Sequence, residues 1–144
     1  MFRNILVAID GSETARRALA DAGDLAEALN ARLTIIAVAP EVPGYAYRSE
    51  VDPTALEREA DAETEKLLRK ADDLLPPELP VTKLLKHGHA GEEIVKQVEA
   101  GGHDLLALGS RGLGRLASRV LGSVGAYVHF HSSVTMLVVH PQDE

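Results

Sequence analysis

The chain has 144 residues, 45% of them apolar and 26% charged, with a net charge of −7 and no cysteine. That length carries a proper core in a single domain, 1–144. The missing thiols remove disulfides, thiolate metal sites and cysteine nucleophiles, and the acidic balance argues against nucleic acid or an anionic membrane as the main partner.

Strands and helices alternate from the start. Asn4 to Ile9 is a continuous apolar run and reads as a buried strand. Asp10-Gly-Ser12 is a turn with Ser12 as helix N-cap, and Ala15, Ala18, Leu19, Ala22, Leu25, Ala26 and Leu29 then recur at helical spacing up to a stop at Asn30. Arg32 to Ala39 is the second strand. Pro40 to Asp52 is a loop long enough to be either a functional excursion over the sheet end or a surface detour. Pro53 opens a helix to about Leu75, which Pro76-Pro77 ends. Its apolar positions are Leu56, Ala60, Leu67, Leu68, Ala71, Leu74 and Leu75. Val81 to Leu85 is a third, weaker strand, Gly91 to Glu99 a short helix closed by Gly101-Gly102, Leu105 to Leu108 the fourth strand, and Thr135 to Val139 the fifth. Such alternation predicts an α/β fold, a parallel sheet covered by helices on both faces, with ligands beyond the C-terminal strand ends where the strand order reverses.

The pattern richest in chemistry follows the fourth strand. Gly109-Ser-Arg-Gly112 is succeeded after nine residues by Gly122-Ser123, which opens a helix from Val124 to Phe130. Glycines let backbone N–H groups approach an anion, and a helix start adds unpaired donors and a positive dipole end. The same letters also fit a flexible loop with an ordinary Ser N-cap. A Walker A motif is excluded because no Gly-Lys pair exists, and Gly112-Leu-Gly114-Arg-Leu-Ala117 fails as a dinucleotide fingerprint because Ser118 to His140 contains no acid for the ribose. Asp10 and Ala37-Val38-Ala39 also fall at strand ends. A carboxylate beside a glycine loop suits ribose and phosphates, and a backbone edge suits an adenine.

Together these residues resemble the universal stress protein family. The likeness rests on Asn4-Ile-Leu-Val-Ala-Ile-Asp10-Gly-Ser12, Asp104-Leu-Leu-Ala-Leu-Gly-Ser-Arg-Gly112, Gly122-Ser123 and Val134-Thr-Met-Leu-Val-Val139. The resemblance implies a Rossmann-like open sheet of about five parallel strands in the order 3-2-1-4-5, and ATP or a related adenine nucleotide in its crevice; ATP-hydrolysing chemistry there would add Mg2+. On the matching positions it implies Asp10 against the adenosine, the Val38 backbone against the adenine, Gly109, Gly112, Gly122 and Ser123 around the phosphates, and a backbone N–H from Val124 beside them. It further implies a homodimer through Thr135 to Val139, which an apolar edge strand supports physically. Two departures stand out: Gly125 in the first helical turn, and His129-Phe130-His131-Ser132-Ser133 where the family more often has a proline-containing turn.

Other constellations carry less. Arg111 and Arg115 either neutralise phosphate or lie in solvent, and Arg119 reads as solvated. His87 with His89, and His129 with His131, have no nearby carboxylate cluster, so no metal site is expected. Glu92 and Glu93 read as compensating a helix dipole. No Ser/His/Asp or paired-carboxylate set appears, so no catalytic residue is assigned. The expected function is an adenine-nucleotide-binding regulator of the stress response. The alternatives are a slow ATPase or self-phosphorylating enzyme and a nucleotide-free interaction module. The absence of a basic leader and of a spanning apolar run gives the expectation of a soluble, cytoplasmic protein.

Overall fold

A computed structural model describes residues 1–48, 50, 52–110 and 121–142. The elements run β1 (Asn4–Ala8), α1 (Glu13–Leu29), β2 (Arg32–Ala39), a 3₁₀ turn (Gly44–Arg48), α2 (Pro53–Asp73), β3 (Val81–His87), α3 (Ala90–Gly101), β4 (Leu105–Gly109), α4 (Ser123–His131) and β5 (Thr135–Val139). All strand pairs are parallel and the sheet order is β3-β2-β1-β4-β5, as expected.

Residue parity sorts the core into two layers. Ile5, Val7, Leu33, Ile35, Leu105 and Ala107 point to one face and pack under α1 and α2 through Ala18, Leu19, Ala22, Leu68 and Ala71. Leu6, Ile36, Leu106 and Leu108 point to the other and meet Ile94 and Val98 of α3 and Val128 of α4. The continuous apolar runs follow from this: a strand buried on both faces needs apolar side chains at successive positions.

Caps end the helices where the sequence places stops. Asn30 closes α1 in the left-handed region at φ 53°, and Gly102 closes α3 at φ 64°. β3 runs two residues further than its apolar signal because Lys86 and His87 still pair with Val38 and Ala39. Leu74 is 61% exposed, since α2 has ended and the residue is its C-cap.

The N-terminal edge of the sheet is tied by one acid. Asp104, just before β4, accepts from Arg3 N at 2.9 Å and Asn4 N at 3.0 Å, joining β4 to the entry of β1. Desolvation pushes its carboxyl up, but backbone N–H donors, including those of Arg3 and Asn4, outweigh this and hold it below the ordinary 3.8. Next to it His103 is 8% exposed. Burial pushes its imidazole below the ordinary 6.5, against opposing pulls from the Asn4 backbone and Asp104.

Both groups destabilise the fold in acid, in separate windows. Neutral His103 is favoured in the folded state, so its contribution is whole above pH 6.5 and fades as pH falls below that. Ionised Asp104 contributes above pH 3.8 and is lost below it. Melting temperature should therefore be flat near pH 7–8 and decline in two stages. A His103→Gln variant that keeps the upper stage unchanged would sink the assignment.

Candidate functional site

The C-terminal strand ends open into a crevice of about 700 Å³, bounded by the ends of β1 and β2, the middle of α2, and the starts of α3 and α4. Among the expected site residues it brings together Asp10, Val38, Ser123 and Val124. A smaller, deeper space of about 100 Å³ continues from it and is lined by Gly109, Gly122 and Gly125. Gly112, Arg111, Arg115 and Arg119, and the whole Gly112–Ala117 match, lie outside the described residues.

Asp10 leaves the sheet one residue past Ile9. Its Oδ1 accepts from Ser12 N at 2.9 Å, and Gly11 takes φ 86°, a conformation that favours glycine. This turn brings Ser12 to its place as N-cap of α1, where its hydroxyl accepts from Ala15 N at 3.2 Å. The carboxylate stays exposed at the mouth of the crevice.

Val38 lies where β2 outruns β1. The last bond between these strands is Ile9 N to Ile36 O, whereas Ala39 O turns the other way to accept from Gly88 N on the β3 side. Backbone groups alternate sides along a strand. Val38 therefore directs its N–H and C=O to the same side as Ile36, one step beyond the end of β1. That is an amide edge of the sort a flat heterocycle with alternating donor and acceptor can pair with.

Gly109 ends β4 for a packing reason as well. A Cβ there would fall on Thr14 and 2.5 Å from Ala15 N, so the strand end lies directly against the first turn of α1. The next residue is anchored on both sides: Ser110 N donates to Val139 O at 2.8 Å, and Thr14 Oγ1 donates to Ser110 O at 2.8 Å.

The start of α4 does not follow the alternative of an ordinary Ser N-cap. Gly122 is the N-cap, with no side-chain capping bond, and Ser123 is the first helical residue. The first intrahelical bond runs from Ala126 N to Gly122 O at 2.8 Å. The N–H groups of Ser123, Val124 and Gly125 thus precede the helical ladder, at its positive end. Gly125 in this first turn is buried, and a Cβ on it would meet Leu121 at 2.7 Å.

The charge of this crevice is unusual for an anion site. Its described lining holds Asp10 and Glu63 and no lysine or arginine. Positive potential on that lining comes from helix starts. Asp10 and Glu63 are the carboxylates on that lining, and no cluster of three metal-binding side chains exists among the described residues. The histidines singled out in sequence have protein partners, although His89 also lines the crevice. His87 Nε2 lies 2.7 Å from Asp61 Oδ1, His89 caps α3, and His131 stacks on Tyr127 at 3.9 Å.

Sequence reasoning missed the wall that α2 supplies. Ala60, Glu63, Thr64 and Leu67 line the crevice, and buried Thr64 donates to Ala60 O at 2.8 Å. A threonine on the apolar face of that helix was the available signal. The long Pro40–Asp52 loop joins this side. Tyr47 Oη donates to Glu57 at 2.9 Å, and that bond and charge raise its pKa.

A parallel 3-2-1-4-5 sheet with a crevice at its C-terminal reversal point defines a doubly wound α/β protein. The chain belongs to the universal stress protein family, whose model matches residues 1–140. It is 33% identical over 139 residues to the Thermus aquaticus universal stress protein encoded in the QAH/OAS sulfhydrylase 3′ region, covering 96% of this chain and 99% of that one. Among solved structures, the protein MJ0577 superimposes with a TM-score of 0.84 at 27% identity, over 100% of this chain and 99% of that one. A universal stress protein crystallised in complex with cAMP matches with a TM-score of 0.63 at 30% identity, over 96% and 97%.

Proposed function

We propose that this protein is an adenine-nucleotide-binding regulator of the stress response, with ATP and Mg2+ as its ligand. The observation that carries the proposal is the convergence of the Val38 amide edge, the Asp10 carboxylate and an α4 start without a side-chain cap on one crevice. The base pairs with Val38, the ribose meets Asp10, and the phosphates lie along Gly109, Gly112, Gly122, Ser123 and Val124. The cAMP complex of a 30% identical relative supports the choice of an adenine ligand. No catalytic residue is part of this reading.

Calorimetric titration of nucleotide-stripped protein with Mg-ATP, AMP and NAD tests it. ATP is expected to bind in the micromolar range and NAD not to bind. A Gly122→Val side chain would crowd the phosphate end and should weaken ATP at least about tenfold, roughly 1.4 kcal/mol. Unchanged affinity in that variant would remove the phosphate assignment, and no heat with wild type would remove the proposal.

We also propose a cytoplasmic homodimer through β5. That strand ends the sheet, Met136, Leu137 and Val138 are only partly buried, and Phe130 nearby is 82% exposed. An unpaired apolar edge of this kind calls for a partner. Light scattering should give twice 15.4 kDa, and Val138→Lys should shift the protein to monomer. A wild-type monomer at high concentration would overturn this part.

A further inference from the structure

The crevice contains one imidazole, His89, with no role in the proposed contacts. It is the N-cap of α3, at φ −80° and ψ 121°, and its Nδ1 accepts from Glu92 N at 3.2 Å. An accepting ring nitrogen carries no proton, so in the neutral ring the proton sits on Nε2. Nε2 is on the ring edge away from the cap, on a residue that lines the crevice. Among the described residues it has no hydrogen-bond partner.

The ring is held from the other side too. Its centroid lies 5.0 Å from that of Tyr127, at 57°. Tyr127 is itself stacked on His131 at 3.9 Å and 14°. It also fills the space that a side chain on Gly91 would take, since a Cβ there would come within 2.7 Å of the phenol ring. The cap and the aromatic ladder together fix which way the donor faces.

Strand register locates that donor along the crevice. His87 pairs with Ala39, and Gly88 N bonds Ala39 O at 3.1 Å, so His89 emerges from β3 beside the end of β2 that carries Val38. That is the base end of the proposed nucleotide. We infer that His89 contacts the purine, its Nε2–H donating to an acceptor nitrogen of the ring. This rests on the adenine-nucleotide reading, and adds to Val38 a second polar contact that selects the base.

His89→Asn separates this role from capping, because asparagine caps helices well but is too short to reach the base. The variant should melt within about 1 °C of wild type. It should lose about three- to tenfold in affinity, by the same factor for adenosine and for AMP. His89→Ala should lose both stability and affinity. Wild-type affinity in His89→Asn, or a loss seen only with the phosphorylated ligand, would overturn the inference while leaving the nucleotide site intact. No adenosine or AMP binding by wild type would overturn both. Independently of ligand, ¹⁵N spectra of the imidazole should show the Nε2–H tautomer, and the Nδ1–H form would overturn the inference.

Discussion

Replacing Gly109 by alanine should destabilise the protein by about 3 kcal/mol, at the upper end of overpacking effects. A single methyl causes this because, besides the Thr14 hydroxyl, it would press on the backbone of Thr14 and Ala15 at 2.5 Å, which cannot swing aside as a flexible side-chain end can. Relief requires moving the first turn of α1 away from β4. That movement also strains the Thr14 to Ser110 bond, which ties the start of the glycine loop to the same turn. For a chain of this size the expected fall in melting temperature is about 10 °C. Circular dichroism melts would decide it, and a shift under about 2 °C would show that the contact relaxes easily. ATP affinity should fall alongside, since Gly109 lines the inner end of the crevice.

The second large effect is expected at Gly91. A side chain there runs into Tyr127 at 2.7 to 2.9 Å, at the point where α3 and α4 pack together. Gly91→Val should cost about 2 kcal/mol. Unlike Gly109, the obstruction is a side chain, so it can be removed. Tyr127→Ala opens the space, and the double variant should recover part of the loss, a coupling of about 1 kcal/mol in a double-mutant cycle. Strict additivity in chemical denaturation would refute the direct clash. The two glycines thus separate rigid from yielding neighbours, a distinction invisible in their local sequence.

Much of the fold was legible because its signals are local. Apolar runs such as Asn4 to Ile9 and Arg32 to Ala39, the Ser12 and Asn30 caps, and Pro76-Pro77 depend on a few neighbouring residues. Each is found where expected, within a residue or two. β3 extended past its apolar run because pairing with β2, a distant segment, carried Lys86 and His87 along. Of the two readings of Gly122-Ser123, the ordinary Ser N-cap is excluded: a glycine holds the cap position with no side-chain bond, which leaves nothing for a sequence pattern to register.

The site was legible in part for the same reason. Asp10, the Ala37-Val38-Ala39 strand end and Ser123 could be named from strand ends and glycine spacing, whereas singling out Val38 and Val124 took the family resemblance. The contribution of α2 could not, because Glu63 and Thr64 become crevice residues only when α2 packs across the end of the sheet. His89 drew attention in sequence only through a metal reading that was set aside, and its capping bond to α3 had no signal there.

By itself the sequence determined the alternation of strands and helices, the doubly covered parallel sheet, the turn at Asp10 and the family. These follow from hydrophobic periodicity and from short motifs whose chemistry is complete within a dozen residues. Only the tertiary structure decided which backbone edge is left open at Val38, why Gly91 and Gly109 exclude a methyl, and which way the His89 ring turns. Each of these depends on atoms brought within a few ångströms from distant parts of the chain, and close packing makes such approaches specific at a scale below one methyl group.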